Sequence, residues 1–513
     1  MIPNDTQSYG ARLLPGLQSV VQRPWYNYFL SVMIGLVIGV GFIVPQLWWA
    51  CLVGLGWWCY MLQRTDTWYQ AAALGLICWW VLACLSLLWM WDVYPLDWLE
   101  AGLRPQQAAI VGVYWVTSAL WLGLGGVLAA TGFWYIMRHG ALWAWLCLPV
   151  VWLLAEVAGS LFFSIFTLGD GGYMLPYFSF AYIGFIVASH PWLFHASAWG
   201  GVYALTVVAS SLACLTYVLW HRRYVPRYII FGLLAVLVAS GYVPQYTSTA
   251  AEQGYRVAVI ETYFDASFRI QDNFIAQQYD LVSDAIDVAQ SYQPDYILLP
   301  EDVGFTQEQK RRSDVALSLR SRFGTSSVQL IDAGQREWGE DKIMRGYIYD
   351  NSTLQITVAD KQYLVPQGEF MPYLHSRTAR LLGYGDSVER LAERIRYVPG
   401  PEISQAHFSD TIPMLLFCSE GISPTMVRTR LAERSSVPFV AHPISHAWFH
   451  NSTKLSHQLD TMLRVQARWN NVHIVSAANQ STSRHYRSDG SIGQPNYRDS
   501  SSSEQWDVLF FDI

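Results

Sequence analysis

The sequence predicts two structural halves in one chain, an α-helical transmembrane bundle followed by an α/β domain. Three observations predict it. Hydrophobic residues fill 52% of the 513 positions and charged residues only 14%, which is too apolar for an ordinary soluble protein of this length. Charge is uneven, because most Asp, Glu, Lys and Arg lie from Glu252 onward. The cysteines divide the same way: Cys51, Cys59, Cys78, Cys84, Cys147 and Cys214 lie in apolar stretches, which leaves Cys418 alone in the polar half with no partner for a disulfide there. The chain therefore divides into an N-terminal segment (1–25), a bundle (26–250) and a C-terminal domain (251–513). A net charge of -6 with no long basic run gives no reason to expect nucleic acid as a partner.

Within the bundle, seven stretches approach the ~20 apolar residues that match a ~30 Å hydrocarbon core. They run from Tyr26 to Val44, Leu47 to Leu62, Trp68 to Trp91, Ala108 to Met137, Leu142 to Phe166, Trp199 to Trp220 and Tyr228 to Val243. An eighth, Tyr177 to Ser189, is too short to cross and is bracketed by Pro176 and Pro191, so it reads as interfacial or re-entrant. The first stretch follows about 25 polar and mixed residues and lacks a small-residue cleavage site, so it reads as a retained span.

Arginine placement orients the bundle. With the N-terminus inside, the inner segments carry Arg12, Arg23, Arg64, Arg138, Arg222, Arg223 and Arg227, whereas the short outer loops carry Arg104. An odd number of spans then delivers the polar half to the outer face, which in a bacterium is the periplasmic side of the cytoplasmic (inner) membrane. Glu156, in "VWLLAEVAGSLFF", lies in the fifth span, where an ionisable group must face protein or water. Two roles are open to it: a buried hydrogen bond to a neighbouring helix, or a wall of a lipid-headgroup site.

From Tyr255 the pattern changes to short β-branched runs, "YRVAVIE", "DYILLPE", "LQITVADKQYLVP", "IPMLLFC", "VPFVAHP", "VHIVSAAN" and "WDVLFFDI", with helical patterns such as Phe274 to Gln290 and His457 to Asn470 between them. Strands apolar along most of their length need both faces covered, which predicts sheets sandwiched by helices. In such folds sites are built at strand ends. Three ends carry reactive groups: Glu301 after "DYILLP", Lys361 and Glu369 around "DKQYLVPQGEFMPY", and Cys418 with Glu420 after "IPMLLF". A carboxylate, an ammonium and a thiol form the set that makes and breaks an acyl thioester. The carboxylate takes the thiol proton, the thiolate attacks a carbonyl, and the cation stabilises the developing oxyanion.

Glu301 in "LPE", Lys361 in "DKQYLVPQGEFMPY" and Cys418 in "FCSEGISP" resemble the Glu-Lys-Cys triad of the nitrilase (carbon-nitrogen hydrolase) superfamily. With a polytopic bundle in front, the chain resembles the apolipoprotein N-acyltransferases in particular, most specifically in "LVPQGEFMPY". The resemblance implies an αββα sandwich with Glu301 as general base, Lys361 as oxyanion-stabilising cation and Cys418 as the acylated nucleophile. It implies that Glu369 positions the lysine and that Glu420 shapes the pocket beside Ser419, where the family usually has tyrosine. Glu156 and "LPYFSFAY" are similar to the family's span and loop beside the active site. In "HAWFHNSTKLSHQLDTMLRVQARWNN", Trp448 and Phe449 are implied pocket walls, and His457 and Arg464 stand in similar places.

The sequence departs from that pattern in "VIETYFDASF", in Gly159 and Ser160 where an arginine is common, and in ending at "WDVLFFDI" where the family usually continues into a membrane helix. The function implied is transfer of a fatty acyl group from a membrane phospholipid, through a cysteine thioester, to the N-terminal amine of a lipidated lipoprotein. A membrane-tethered amidase with the same triad and a non-catalytic homologue are the rival readings. No cofactor is expected. Nor is a metal, because His442, His446 and His450 in "AHPISHAWFH" fit no compact zinc spacing and read as loop and pocket histidines.

Overall fold

The computed structural model describes residues 24–96, 104–139, 141–221, 254–265, 274–303, 305–306, 312–381, 383–401, 410–432, 434, 436–501 and 505–513. Its N-terminal half is a bundle of apolar helices: α1 (Pro24–Gly39), α2 (Trp48–Gln63), α3 (Trp68–Ser86), α4 (Arg104–His139), α5 (Ala141–Phe166), the short α6 (Ile183–Val187) and α7 (Ser197–His221). The bundle has an apolar interior that also encloses several polar side chains, and its outer surface is apolar too. Ser31, Ser86, Ser118, Glu156, Ser160 and Thr206 are buried, while Trp25, Phe29, Val113, Val150 and Leu154 are exposed. In water this arrangement would be unstable; against lipid tails it is the expected one. Close approach of the helices depends on small residues, and a Cβ on Gly75 would lie 2.2 Å from the carbonyl oxygen of Gly126 on α4.

Among the described residues, five segments are long and apolar enough to cross a membrane: Trp25–Phe42, Trp68–Ser86, Arg104–His139, Leu146–Phe166 and Ser197–Leu215. The second expected span folds as α2, whose 16 residues reach only about 24 Å at ~1.5 Å per residue. It packs against α1 and α7 within the bundle. The seventh expected span, Tyr228 to Val243, lies outside the described residues. Tyr177 to Ser189 does not form a spanning helix; it folds back and contributes only the five residues of α6. The third expected span leaves α-helical geometry at Ser86 and continues as a 3₁₀ turn over Leu88–Val93.

The C-terminal half is an α/β domain with a mixed sheet. Strands β1 (Arg256–Thr262), β2 (Tyr296–Glu301) and β3 (Gln329–Trp338) are parallel neighbours. From β3 the sheet continues antiparallel through β4 (Asp341–Asp350) and β5 (Gln355–Asp360), and the last strand (Trp506–Asp512) pairs antiparallel with β1. A second set, β6 (Met414–Leu415), β7 (Val440–Ser445) and β8 (Ile474–Asn479), is parallel and joins the first through the single pair Thr262 and Asn479.

Alternation along the strands makes four layers of this arrangement. Val257 and Val259 of β1 share one core with Leu298 of β2, Leu415 and Phe417, Ala441 of β7 and Val475 of β8, so this core lies between the two sets of strands. Ala258 and Ile260 point the other way, onto Val282 and Ile286 of α8 (Phe274–Ser291) and Leu319 of α9 (Arg312–Phe323). On the far side, Val440 and Ile474 meet Val427 of α12 (Met426–Leu431) and Leu459 and Leu463 of α13 (Thr453–Asn470). Two further helices, α10 (Tyr373–Leu381) and α11 (Gly385–Arg394), follow the loop that carries Lys361 and Glu369.

Helix α13 also joins the halves. Its other face, Leu455, Met462 and Val465, belongs to the core of the bundle. The kink in α7 at Gly200 and Gly201 makes room for this contact, since a Cβ on Gly201 would lie 2.5 Å from the Trp469 ring, and its φ of +59° suits glycine.

Candidate active site

Glu301, Lys361 and Cys418 lie at or shortly after strand ends, and Glu369 is brought in by the turn that follows the lysine. Glu301 is the last residue of β2 and is buried between β1 and β3. Lys361 follows β5, and its N–H donates to the Met344 carbonyl at 2.9 Å, which extends the strand's pairing by one residue. The turn after it is built on Gln367, at φ +65°, and closes with Gln367 N–H to Phe370 O at 2.7 Å, which turns Glu369 back toward the lysine. Cys418 opens a 3₁₀ turn (Cys418–Ile422) that follows directly on β6.

Lys361 Nζ lies 3.1 Å from Glu301 Oε1 and 2.8 Å from Glu369 Oε1. The second oxygen of Glu369 accepts the Val365 N–H at 2.7 Å, so that carboxylate is fixed by its own turn. Lys361 is 1% exposed, and burial alone would discharge it. The facing carboxylates of Glu301 and Glu369 and the nearby Cys418 outweigh burial and hold the ammonium well above its ordinary range. Two carboxylates around one cation leave an excess negative charge in a dry place, and the structure relieves it at Glu301. Burial, opposed by Lys361 and assisted by Glu369, pushes the Glu301 carboxyl up to about 7.

Cys418 is half-buried, and its thiol is close enough to this cluster for the charges there to act on it. Burial pushes the thiol up, Glu301 adds to that, and Lys361 together with the backbone N–H of Ser445 works against it. A protonated thiol near a carboxyl that titrates near neutrality can act as a nucleophile with that carboxyl as its base. The buried ammonium is a fixed positive charge for an oxyanion. Among the described residues there is no group of three or more His, Cys, Asp and Glu placed to hold a metal ion.

Glu420 lies apart from this chemistry. It is fully buried, and its carboxylate accepts the N–H groups of Gln362 at 2.7 Å and Phe417 at 3.0 Å, tying the residue after the lysine to the residue before the cysteine. Arg430, a residue that the sequence did not single out, balances its charge at 2.7 Å. Ser419 Oγ donates to the Tyr363 carbonyl, a second tie between the same two loops.

Glu156 is buried inside the bundle, where Trp152 Nε1 (3.1 Å), Ile183 N–H (2.8 Å) and Thr206 Oγ1 (2.7 Å) all donate to it. These bonds hold the start of α6 in place. Phe449 packs edge-on against Trp89 of the bundle, with ring centroids 5.5 Å apart, and Trp448 is partly buried beside it. His457 is exposed, and with Lys454, Phe42 and Trp89 it lines a cavity of about 310 Å³ at the seam of the two halves, to which none of the four reactive residues contributes. Arg464 donates to the Gly490 carbonyl at 2.8 Å, at the far end of α13.

The three histidines of "AHPISHAWFH" are held separately. His442 meets Ser476 and the Cys418 carbonyl, His446 meets Ser456, and His450 meets the Asp92 carbonyl. His442 lies within β7, in the run "VPFVAHP" that the sequence marked as a strand, and so is not one of the loop histidines, because "VAHPIS" pairs in parallel with β8.

The site also touches the bundle. Ser179 Oγ donates to the Ile422 carbonyl at 2.6 Å, at the end of the cysteine turn, and Tyr173 OH donates to Gln362 Oε1 at 3.3 Å, beside the lysine. Tyr177 stacks near Tyr363 with centroids 4.9 Å apart.

No protein-family model and no curated protein matches the chain. Solved structures do. One is a CN-hydrolase superfamily protein from Xanthomonas campestris with an arsenic adduct in its active site (14% identity, TM-score 0.35, covering 51% of this chain and 90% of that one). Two others are glutamine-dependent NAD+ synthetases. That of Acinetobacter baumannii, in complex with ADP, shares 14% identity at TM-score 0.32 over 51% of this chain and 46% of that one. That of Cytophaga hutchinsonii shares 11% at TM-score 0.31 over 51% and 43%. The chain thus spans less than half the length of either synthetase.

Proposed function

We propose that this chain is a membrane-bound N-acyltransferase. Glu301 takes the Cys418 proton as sulfur attacks the ester carbonyl of a membrane phospholipid. Lys361 steadies the tetrahedral oxyanion, and the lysophospholipid leaves with the proton returned by Glu301. The amine of a lipoprotein's N-terminal, diacylglyceryl-modified cysteine then attacks the thioester, Glu301 accepts the amine proton, and the thiol of Cys418 is regenerated. Glu369 holds the lysine, and Glu420 and Ser419 hold the loops that carry the triad.

The observation that carries this reading is the Glu301–Lys361–Glu369 ion cluster beside Cys418, on a domain whose site loops are bonded to a bundle of apolar helices. Both substrates are lipids, and a site fixed to the bilayer meets them in a restricted geometry that a free domain lacks. The arginine distribution supports an outward-facing catalytic domain on a bacterial cytoplasmic membrane. The tyrosine-lined contact between the site and residues 173–177 supports a site that keeps water from the thioester.

The test is a transfer assay with purified full-length protein in phospholipid nanodiscs and a synthetic peptide bearing an N-terminal S-diacylglyceryl cysteine. Mass spectrometry should find one fatty acyl group gained on the peptide amine. Release of free fatty acid with the peptide unchanged would favour the membrane-tethered amidase or hydrolase, and no turnover of either kind would favour a non-catalytic homologue.

A further inference from the structure

We infer that His442 is a positioning residue for the nucleophile: its imidazole clamps the main-chain carbonyl of Cys418 and so aims the sulfur at Glu301. The inference rests on the reading of Cys418 as nucleophile and Glu301 as its base.

His442 is fully buried in β7, directly opposite Ser476 of β8 in the parallel register. Its Nδ1 is 3.1 Å from Ser476 Oγ and its Nε2 is 3.3 Å from the Cys418 carbonyl oxygen. A carbonyl oxygen only accepts, so Nε2 carries the proton; Nδ1 is then the acceptor and the serine hydroxyl donates to it. The tautomer is set from both ends. Burial pushes the imidazole down to about 4, so the ring is neutral at physiological pH and adds no charge beneath the lysine.

Fixing the Cys418 carbonyl fixes the plane of the Cys418–Ser419 peptide, and with it the direction in which the side chain leaves the chain. The fit is close, since a Cβ on Gly421 would lie 3.0 Å from His442 Nε2. The clamp acts at the cysteine itself, whereas Glu420 holds the flanking residue Phe417 and Ser419 bonds the Tyr363 carbonyl. A small error in aim matters here, because misplacement of a reacting atom by ~1 Å can cost ~10²-fold in rate.

The test reads thiol reactivity and needs no substrate. Full-length protein in nanodiscs is alkylated with iodoacetamide across a range of pH, and labelling of Cys418 is followed by peptide mass spectrometry. Wild-type reactivity should rise through a limb near pH 7 that belongs to Glu301. His442→Phe, which keeps ring volume and loses the donor, should lose that limb and react as an ordinary thiol, about tenfold more slowly at neutral pH. His442→Gln, whose amide keeps a donor, should restore the limb. Ser476→Ala, which leaves the imidazole in place and removes the hydroxyl that sets its tautomer, serves if the phenylalanine variant does not fold, and should weaken the limb. A limb retained in folded His442→Phe, or unaltered in Ser476→Ala, overturns the inference. A wild-type protein with no limb near pH 7 overturns the acid–base reading beneath it.

Discussion

Arg430 Nη2 lies 2.7 Å from one oxygen of Glu420 and 2.9 Å from the other, and both side chains are buried. The same arginine reaches the main-chain carbonyls of Leu415 at 3.2 Å and Asp360 at 3.3 Å, which precede the cysteine and the lysine. Asp360 is in turn gripped by two nitrogens of Arg345, at 2.6 and 2.8 Å. The loops that carry Cys418 and Lys361 are thus joined below the site by charged groups that take no part in the chemistry above.

Breaking that strut should cost stability first. Glu420→Ala strands a buried guanidinium, which typically costs about 3–5 kcal/mol. Denaturation of the purified protein should show a lowered midpoint of that order, and Glu420→Gln, whose single amide oxygen still accepts from either Gln362 or Phe417 and from Arg430, should lose less.

Acyl-enzyme formation should depend on pH in one direction. Burial raises the Glu301 carboxyl to about 7, and a base works only when deprotonated, so the rate should climb as pH rises through neutrality and then level off. Well below that value it should fall about tenfold per pH unit. Single-turnover acylation at a series of pH values reads this limb, and Glu301→Gln should abolish it.

Lys361→Met removes the cation between two carboxylates. Lys361 lowers the Glu301 carboxyl, so without it that group should titrate above its present value near 7, and the pH limb should move up. Loss of the oxyanion's positive partner should cost about 10²-fold or more in the rate of acylation. A limb that stays near 7 in this variant would mean the two groups are not in contact in solution.

Glu156 should prove structural. Glu156→Gln keeps an oxygen for Ile183 N–H or Thr206 and should acylate within a few-fold of wild type. Glu156→Leu orphans three buried donors, each worth about 1–3 kcal/mol. Thermal stability of the two variants in detergent separates this role from a headgroup contact, which would show instead as altered dependence on lipid type.

Glu301, Lys361 and Cys418 were legible in the sequence because each follows a short apolar run, a pattern that reports strand ends, whereas Glu369 sits in a turn and was singled out by the motif "LVPQGEFMPY". The β3–β4 hairpin was not, because Arg336, Glu337, Asp341 and Lys342 interrupt the apolar alternation around the turn at Gly339, so no continuous run marks the strands. Arg430 sits in "MVRTRL", which looks like the basic, solvated face of a helix, and only the tertiary structure turns it inward onto Glu420. His442 lies in "VPFVAHP", which the sequence marked as a strand, but only the tertiary structure brings its ring to the Cys418 carbonyl on the neighbouring turn. In the bundle, hydropathy located the apolar segments well but did not distinguish a helix that crosses from one such as α2, which is as apolar and simply shorter.

The account stands on Cys418 becoming an acyl thioester. The most direct measurement is the intact mass of the full-length protein after mixing with phospholipid carrying an isotopically labelled sn-1 chain and no acceptor. One labelled acyl group should appear, map to the Cys418 peptide, and vanish on treatment with neutral hydroxylamine. An unmodified mass for folded wild-type protein, or a label that survives in Cys418→Ser, would contradict it.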